Sequence, residues 1–137
     1  MLGLFKSKTK TARPKILFVD DEADIVSTVE CRLKWADFDV VTASNGKEGL
    51  DKAVSEKPNL ILLDTNMPVM NGYEMLEQLR KNPQLKDVPV IMLTAMCEAQ
   101  DIAKASSYGI ADYITKPFDF TVLMEKITNI LENKSRS

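Results

Sequence analysis

The sequence predicts an α/β fold: a doubly wound five-stranded parallel sheet in the strand order 2-1-3-4-5, with five helices on its two faces. Three observations predict it. Short apolar runs alternate strictly with longer segments of helical period along the 137 residues, the pattern of successive strand–helix units. Most of those runs are apolar at every position, as strands buried on both faces require. Finally, 45% hydrophobic and 28% charged side chains suit one globular domain of this length. Right-handed crossovers leave few topologies open, and this order places a crevice at the carboxyl ends of strands one and three.

Ile16-Leu17-Phe18-Val19 is the first strand and stops abruptly at Asp20-Asp21. From Glu22 to Ala36, Ile25, Val26, Val29 and Leu33 recur at the spacing of one buried helical stripe. Phe38 to Ala43 is β-branched and reads as the second strand. Asn45-Gly46 starts a short helix carrying Leu50, Ala53 and Val54, and Pro58 stops it. Leu60 to Leu63 is the third strand, ending at Asp64.

Thr65 to Gly72 holds Pro68 and Gly72 and is a loop. Tyr73 to Lys81 resumes helical period through Leu76 and Leu79, and Asn82-Pro83 ends it. Val88 to Leu93 is the fourth strand, ending at Thr94. Cys97 to Tyr108 is a helix with a poor apolar stripe, stopped by Gly109. Asp112-Tyr113-Ile114 is a short fifth strand leading to Lys116-Pro117. A last helix from near Asp119 buries Leu123, Ile127, Ile130 and Leu131. The domain then spans 15–132, with a basic arm at 1–14 and a polar tail at 133–137.

Charge and composition exclude several classes. Residues 1–15 hold Lys6, Lys8, Lys10, Arg13 and Lys15 and no acid, which leaves 13 basic and 20 acidic residues for the rest. Such a body is a poor match for a phosphate backbone, so no nucleic acid is expected on it. No histidine occurs, which removes imidazole acid–base chemistry, histidine-ligated metals and a phosphohistidine carrier. Cys31 and Cys97 are not in a paired motif and are expected as buried small apolar side chains. No run approaches the ~18 apolar residues of a transmembrane segment. Residues 1–15 also lack the apolar core of a secretory signal. A cytoplasmic location is the expectation.

The strand ends carry the chemistry. Asp20 and Asp21 follow strand one, Asp64 strand three, Thr94 strand four and Lys116 strand five, and in this topology all point to one edge. Carboxylates so gathered repel one another and call for a hard divalent cation, Mg²⁺ (or Mn²⁺), with oxygen ligands. Metal, ammonium and hydroxyl around one carboxylate suit phosphoryl transfer, whose oxygens need neutralising from several sides. Asp64 is then the nucleophile, and Asp21 and Asp20, with the Asn66 backbone carbonyl, complete the metal site. Thr94 and Lys116 pair with phosphoryl oxygens. Each residue alone has a plain structural use as cap, turn or surface charge; their convergence does not.

These pieces resemble the CheY-like receiver domain of bacterial response regulators. The matching stretches are Ile16-Leu17-Phe18-Val19-Asp20-Asp21-Glu22, Asp64-Thr65-Asn66-Met67-Pro68-Val69-Met70-Asn71-Gly72, Leu93-Thr94-Ala95 and Tyr113-Ile114-Thr115-Lys116-Pro117-Phe118. The likeness covers about Lys15 to Leu131. It implies a flavodoxin-like fold, a phosphoacceptor at Asp64, an acidic pair at Asp20 and Asp21, and a switch through Thr94, Lys116 and Tyr113. It also implies a cis Lys116–Pro117 bond and a histidine kinase or His-phosphotransfer protein as phosphoryl donor. Met96 falls where the family tunes phosphoryl loss; an apolar side chain orients no water, so slow self-dephosphorylation is expected.

Phosphorylation would add charge beside Thr94 and Lys116 and let Tyr113 turn inward. The face of the fourth helix, fifth strand and fifth helix is then the output surface, and it also offers a phosphorylation-dependent homodimer contact. Only six residues follow Leu131, so a stand-alone module signalling to a separate protein is expected, catalysing only its own phosphorylation and dephosphorylation. Two alternatives compete. A phosphatase of the haloacid-dehalogenase type needs an acid two residues past its nucleophile, where this chain has Asn66. An interaction domain that is never phosphorylated would bind no Mg²⁺ and tolerate Asp64→Asn.

Overall fold

A computed structural model describes residues 13–95 and 99–136, the side chains of 99–102 and 134–136 excepted. Strands and helices alternate throughout: β1 (Lys15–Val19), α1 (Ala23–Trp35), β2 (Asp39–Ala43), α2 (Gly46–Glu56), β3 (Leu60–Asp64), α3 (Gly72–Lys81), β4 (Val90–Thr94), α4 (Ala99–Ser107), β5 (Asp112–Thr115) and α5 (Phe120–Arg136). The strands form one parallel sheet in the order β2-β1-β3-β4-β5, as the sequence predicts. Val19 stands opposite Ala43 and Leu63, Asp64 opposite Leu93, and Thr94 opposite Thr115, so the strand ends are level along one edge.

The alternation of side chains along each strand divides the core into two layers. Leu17, Val19, Ile61, Leu63, Val90 and Met92 pack with Ala53 of α2 and with Met75, Leu76 and Leu79 of α3. Ile16, Phe18, Leu60, Leu62, Ile91 and Leu93 pack with Val29 and Leu33 of α1 and with Leu123 and Ile127 of α5. Burying each such aliphatic or phenyl group contributes roughly 1.5–3 kcal/mol, which is why the three central strands are apolar except for one end residue each, Lys15, Asp64 and Thr94. Ile130 and Leu131 are half-buried against the second layer.

Local chemistry sets the helix ends. Asn45 Oδ1 accepts from Glu48 N–H at the start of α2. Asn71 and Glu74 form a reciprocal capping box at the start of α3. Gly109, at φ 72°, turns the chain beyond α4. Arg80, in the last turn of α3, donates from Nε to Tyr108 O (2.7 Å), from Nη2 to Gly109 O (3.3 Å) and from Nη1 to Lys86 O (3.0 Å) and Val88 O (3.1 Å). That one guanidinium ties α3 to the end of α4 and to the turn that buries Leu85.

Several expectations need correcting. Cys31 is exposed, because α1 turns Val29 and Leu33 inward and a residue two positions from either faces the other way. Val54 is exposed, one step around α2 from buried Ala53. β4 starts at Val90 rather than Val88, since Pro89 has no N–H for a ladder. α5 runs through Arg136, so the polar tail drawn from Asn133 continues the helix. Cys97, Met96 and the basic arm up to residue 12 lie outside the described residues, as does the Ile102 side chain. Trp35, the last residue of α1, is 90% exposed. Among the described residues no helix is long and apolar enough to cross a membrane.

The loop after β3 holds a strained turn. Val69 has φ 69°, a region that β-branched residues avoid, and Met70 N–H donates to Pro68 O across it at 2.7 Å, closing a three-residue turn. Val69→Gly is expected to stabilise the protein by about 1 kcal/mol, strain relief outweighing the greater freedom of glycine in the unfolded chain. Urea denaturation checks it; a destabilised variant would show that the 79% exposed Val69 side chain packs better than its exposure implies.

Candidate functional site

Two of the predicted site residues are buried carboxylates at strand ends. Asp20 (1% exposed) follows β1 and Asp64 (4%) closes β3, whereas Asp21 is exposed. One oxygen from each of Asp20, Asp21 and Asp64 lies within 4.8 Å of the others. The β1–α1 connection holds this geometry: Asp20 N–H donates to Ala43 O at 3.0 Å, and Asp20 Oδ1 accepts from Glu22 N–H at 2.9 Å. On the β3 side, Thr65 N–H donates to Leu93 O (3.0 Å), and Asn66 N–H reaches Asp64 Oδ1 at 3.5 Å.

Lys116 enters from the end of β5. Its backbone N–H donates to Thr94 O at 2.7 Å, and the Lys116–Pro117 peptide is cis. The ammonium lies 2.8 Å from Asp20 Oδ2, 3.1 Å from Glu22 Oε1 and 3.3 Å from Asp64 Oδ1. Burial pulls its pKa down, but the hydrogen bonds to Asp20 and Glu22 and the charges of Asp20 and Asp64 outweigh it, so the ammonium is held above its usual value. It is firmly a cation.

Asp64 has the opposite problem. Burial, and then the charge of Asp20, push its carboxyl up from 3.8 to about 6, against the pull of Lys116 and the Asn66 N–H. One ammonium does not neutralise three acids, and the carboxylates remain short of positive charge. These residues fit a divalent cation: oxygen donors only, close together, two of them buried.

The structure thus brings Asp20, Asp21, Asp64 and Lys116 together. Thr94, buried at 5%, ends the strand beside Asp64 and is linked to Lys116 through its carbonyl. Asn66 is exposed two residues beyond Asp64. Tyr113 stands apart, 38% exposed on the edge strand β5. Glu22 was not singled out in sequence; its signal was an acid directly after the Asp-Asp pair. A cleft of about 850 Å³ adjoins the site between α1 and the start of α5, and Glu22, Ile25, Val29, Lys116, Phe118 and Phe120 are among the residues lining it.

Known proteins resemble this chain in sequence and fold. The profile of the response regulator receiver domain matches residues 16–128. The chain is 42% identical over 85% of its length to the alkaline phosphatase synthesis transcriptional regulatory protein PhoP of Bacillus subtilis, covering 48% of that protein. It is 36% identical over 90% of its length to the DNA-binding dual master transcriptional regulator RpaA of Synechocystis, covering 51% of it. The chain thus spans about half the length of these curated relatives. Among solved structures, Vibrio cholerae chemotaxis protein CheY4 superposes with a TM-score of 0.82 at 33% identity, over 86% of this chain and 98% of that one. With 113 of its residues inside the matched profile and the strand order of the superposed structure's fold, the chain belongs to the response regulator receiver domain family of two-component systems.

Proposed function

We propose that this domain accepts a phosphoryl group on Asp64 from a histidine kinase or His-phosphotransfer protein. The observation that carries the proposal is the convergence of Asp20, Asp21 and Asp64 within 4.8 Å, with the Lys116 ammonium 3.3 Å from Asp64. An Asp64 oxygen attacks phosphorus, the bond from phosphorus to the donor's imidazole nitrogen breaks, and that nitrogen keeps the electron pair. Asp64 must be ionised to attack, and a pKa of about 6 leaves it mostly so at neutral pH. Asp20, Asp21, Asp64 and the Asn66 carbonyl would hold Mg²⁺ (or Mn²⁺), which supplies positive charge to the phosphoryl oxygens. Lys116 and the Thr94 hydroxyl would bind the other oxygens. The domain turns over no separate substrate.

The phosphorylated state would be read at the face of α4, β5 and α5. Thr94 drawn to the phosphoryl group would make room for Tyr113 to leave its exposed position and turn inward. The reader would be a separate protein, an attached domain or a second copy. The relatives named above are transcriptional regulators, so an output on DNA would come through such a partner, not through this acidic body. A cytoplasmic location goes with the kinase donor.

The test is incubation with Mg²⁺ and acetyl phosphate, with intact mass read before and after. Wild type should gain the mass of one phosphoryl group, and Asp64→Asn or chelation of the metal should prevent it. A wild-type protein that gains nothing, or an Asp64→Asn variant that gains as much, would overturn the proposal.

A further inference from the structure

Three carboxylates hold Lys116, but only two of them belong to the acid cluster. Asp20 and Asp64 contribute oxygens to the close group with Asp21; Glu22 does not. Glu22 occupies the N-cap position of α1, yet its side chain makes no capping hydrogen bond. Its carboxylate is turned to the lysine instead, at 3.1 Å. The Lys116 side chain is 12% exposed and that of Glu22 56%, so Glu22 grips the ammonium from the solvent side while Asp20 and Asp64 grip it from within.

A divalent cation that takes Asp20 and Asp64 competes with the ammonium for those two carboxylates. Stripped of both, a largely buried ammonium without a counter-charge is unfavourable, and the lysine would resist the exchange. Glu22 is the partner that remains.

We propose that Glu22 is a positioning residue for Lys116: it keeps the ammonium paired while a divalent cation draws Asp20 and Asp64 away, so that cation and lysine share one site. This rests on the phosphoryl-acceptor function and adds a fourth carboxylate, outside the cation's ligands, that acts only through the lysine.

Isothermal titration of the full chain with Mg²⁺ tests it. Glu22→Gln should weaken binding about fivefold, the size of a coupling between directly interacting charges, and Glu22→Asp should recover most of the loss. Asp24→Asn removes the same charge one residue beyond α1's first position, where no ion pair to Lys116 forms, and should change affinity less than twofold. In a Lys116→Met background, Glu22→Gln should do no more than Asp24→Asn; Lys116→Gln serves as the second background if the methionine variant does not fold. A wild-type-like Glu22→Gln, or a loss that persists without the lysine, overturns the role of Glu22 while wild-type Mg²⁺ binding and phosphorylation stand. A wild type that neither binds Mg²⁺ nor takes a phosphoryl group overturns the acceptor function and this inference together.

Discussion

Gly72→Ala should destabilise the protein by about 4 kcal/mol, among the larger costs of a single methyl group. A Cβ on Gly72 would run into the Asp64 carbonyl oxygen and would sit 2.8 Å from Thr65 Cα and 3.0 Å from the Asp64 carbonyl carbon. All three are backbone atoms at the end of β3, so no side chain can swing aside. The close approach is built in, because Gly72 N–H donates to Thr65 O at 3.2 Å, docking the start of α3 against the strand that carries Asp64. Urea unfolding gives the number. Gly109→Ala is the comparison: Gly109 has φ 72° but nothing within 4 Å of its Cβ position, so only the backbone penalty of about 1 kcal/mol applies. Equal costs at the two positions would show that the β3–α3 junction relaxes.

Removing the charge at Asp64 should have the opposite sign. In Mg²⁺-free buffer at pH 7.5, Asp64→Asn is expected to stabilise the protein by about 2 kcal/mol. The Asp64 carboxyl rises from 3.8 to about 6 on folding, through burial first and the Asp20 charge second. An acid whose folded pKa lies above its unfolded value binds its proton more tightly when folded. Folding is therefore favoured at low pH; that advantage fades as pH rises from about 4 to about 6, and above 6 the full cost of the charge remains. The shift corresponds to at most ~3 kcal/mol, and relaxation around Lys116 lowers the expectation. Thermal melts at pH 7.5 and 4.0 check it: the variant's advantage should be present at the first and nearly absent at the second. No advantage at pH 7.5 would mean that Lys116 compensates Asp64 fully.

Much of this was legible in the sequence because the central strands are buried on both faces. Ile16 to Val19 and Leu60 to Leu63 are apolar at every position and end in acids, so strand limits and site residues announced themselves together. The crossover rule then brought Asp20 and Asp64 side by side. Cys31 was also legible, since the Val29–Leu33 stripe already put it on the outer face of α1, but its residue type suggested burial more strongly than its position suggested exposure. Arg80 was not. Its carbonyl partners at Tyr108 and Gly109 lie 28 and 29 residues away, and nothing local marks an arginine as the tie between two helices. The grip of Glu22 on Lys116 spans 94 residues and depends on the turn of a side chain at a helix start, which periodicity does not report.

The only indole in the protein has a practical consequence. Trp35 ends the 13-residue helix α1 whose other end abuts the acids, about 18 Å away at ~1.5 Å rise per residue. Bathed in solvent at that distance, its emission should stay flat through any titration of the acidic edge while still following global unfolding. A fluorophore attached at Ala95, which lines the cleft together with Glu22 and Lys116, would report occupancy instead.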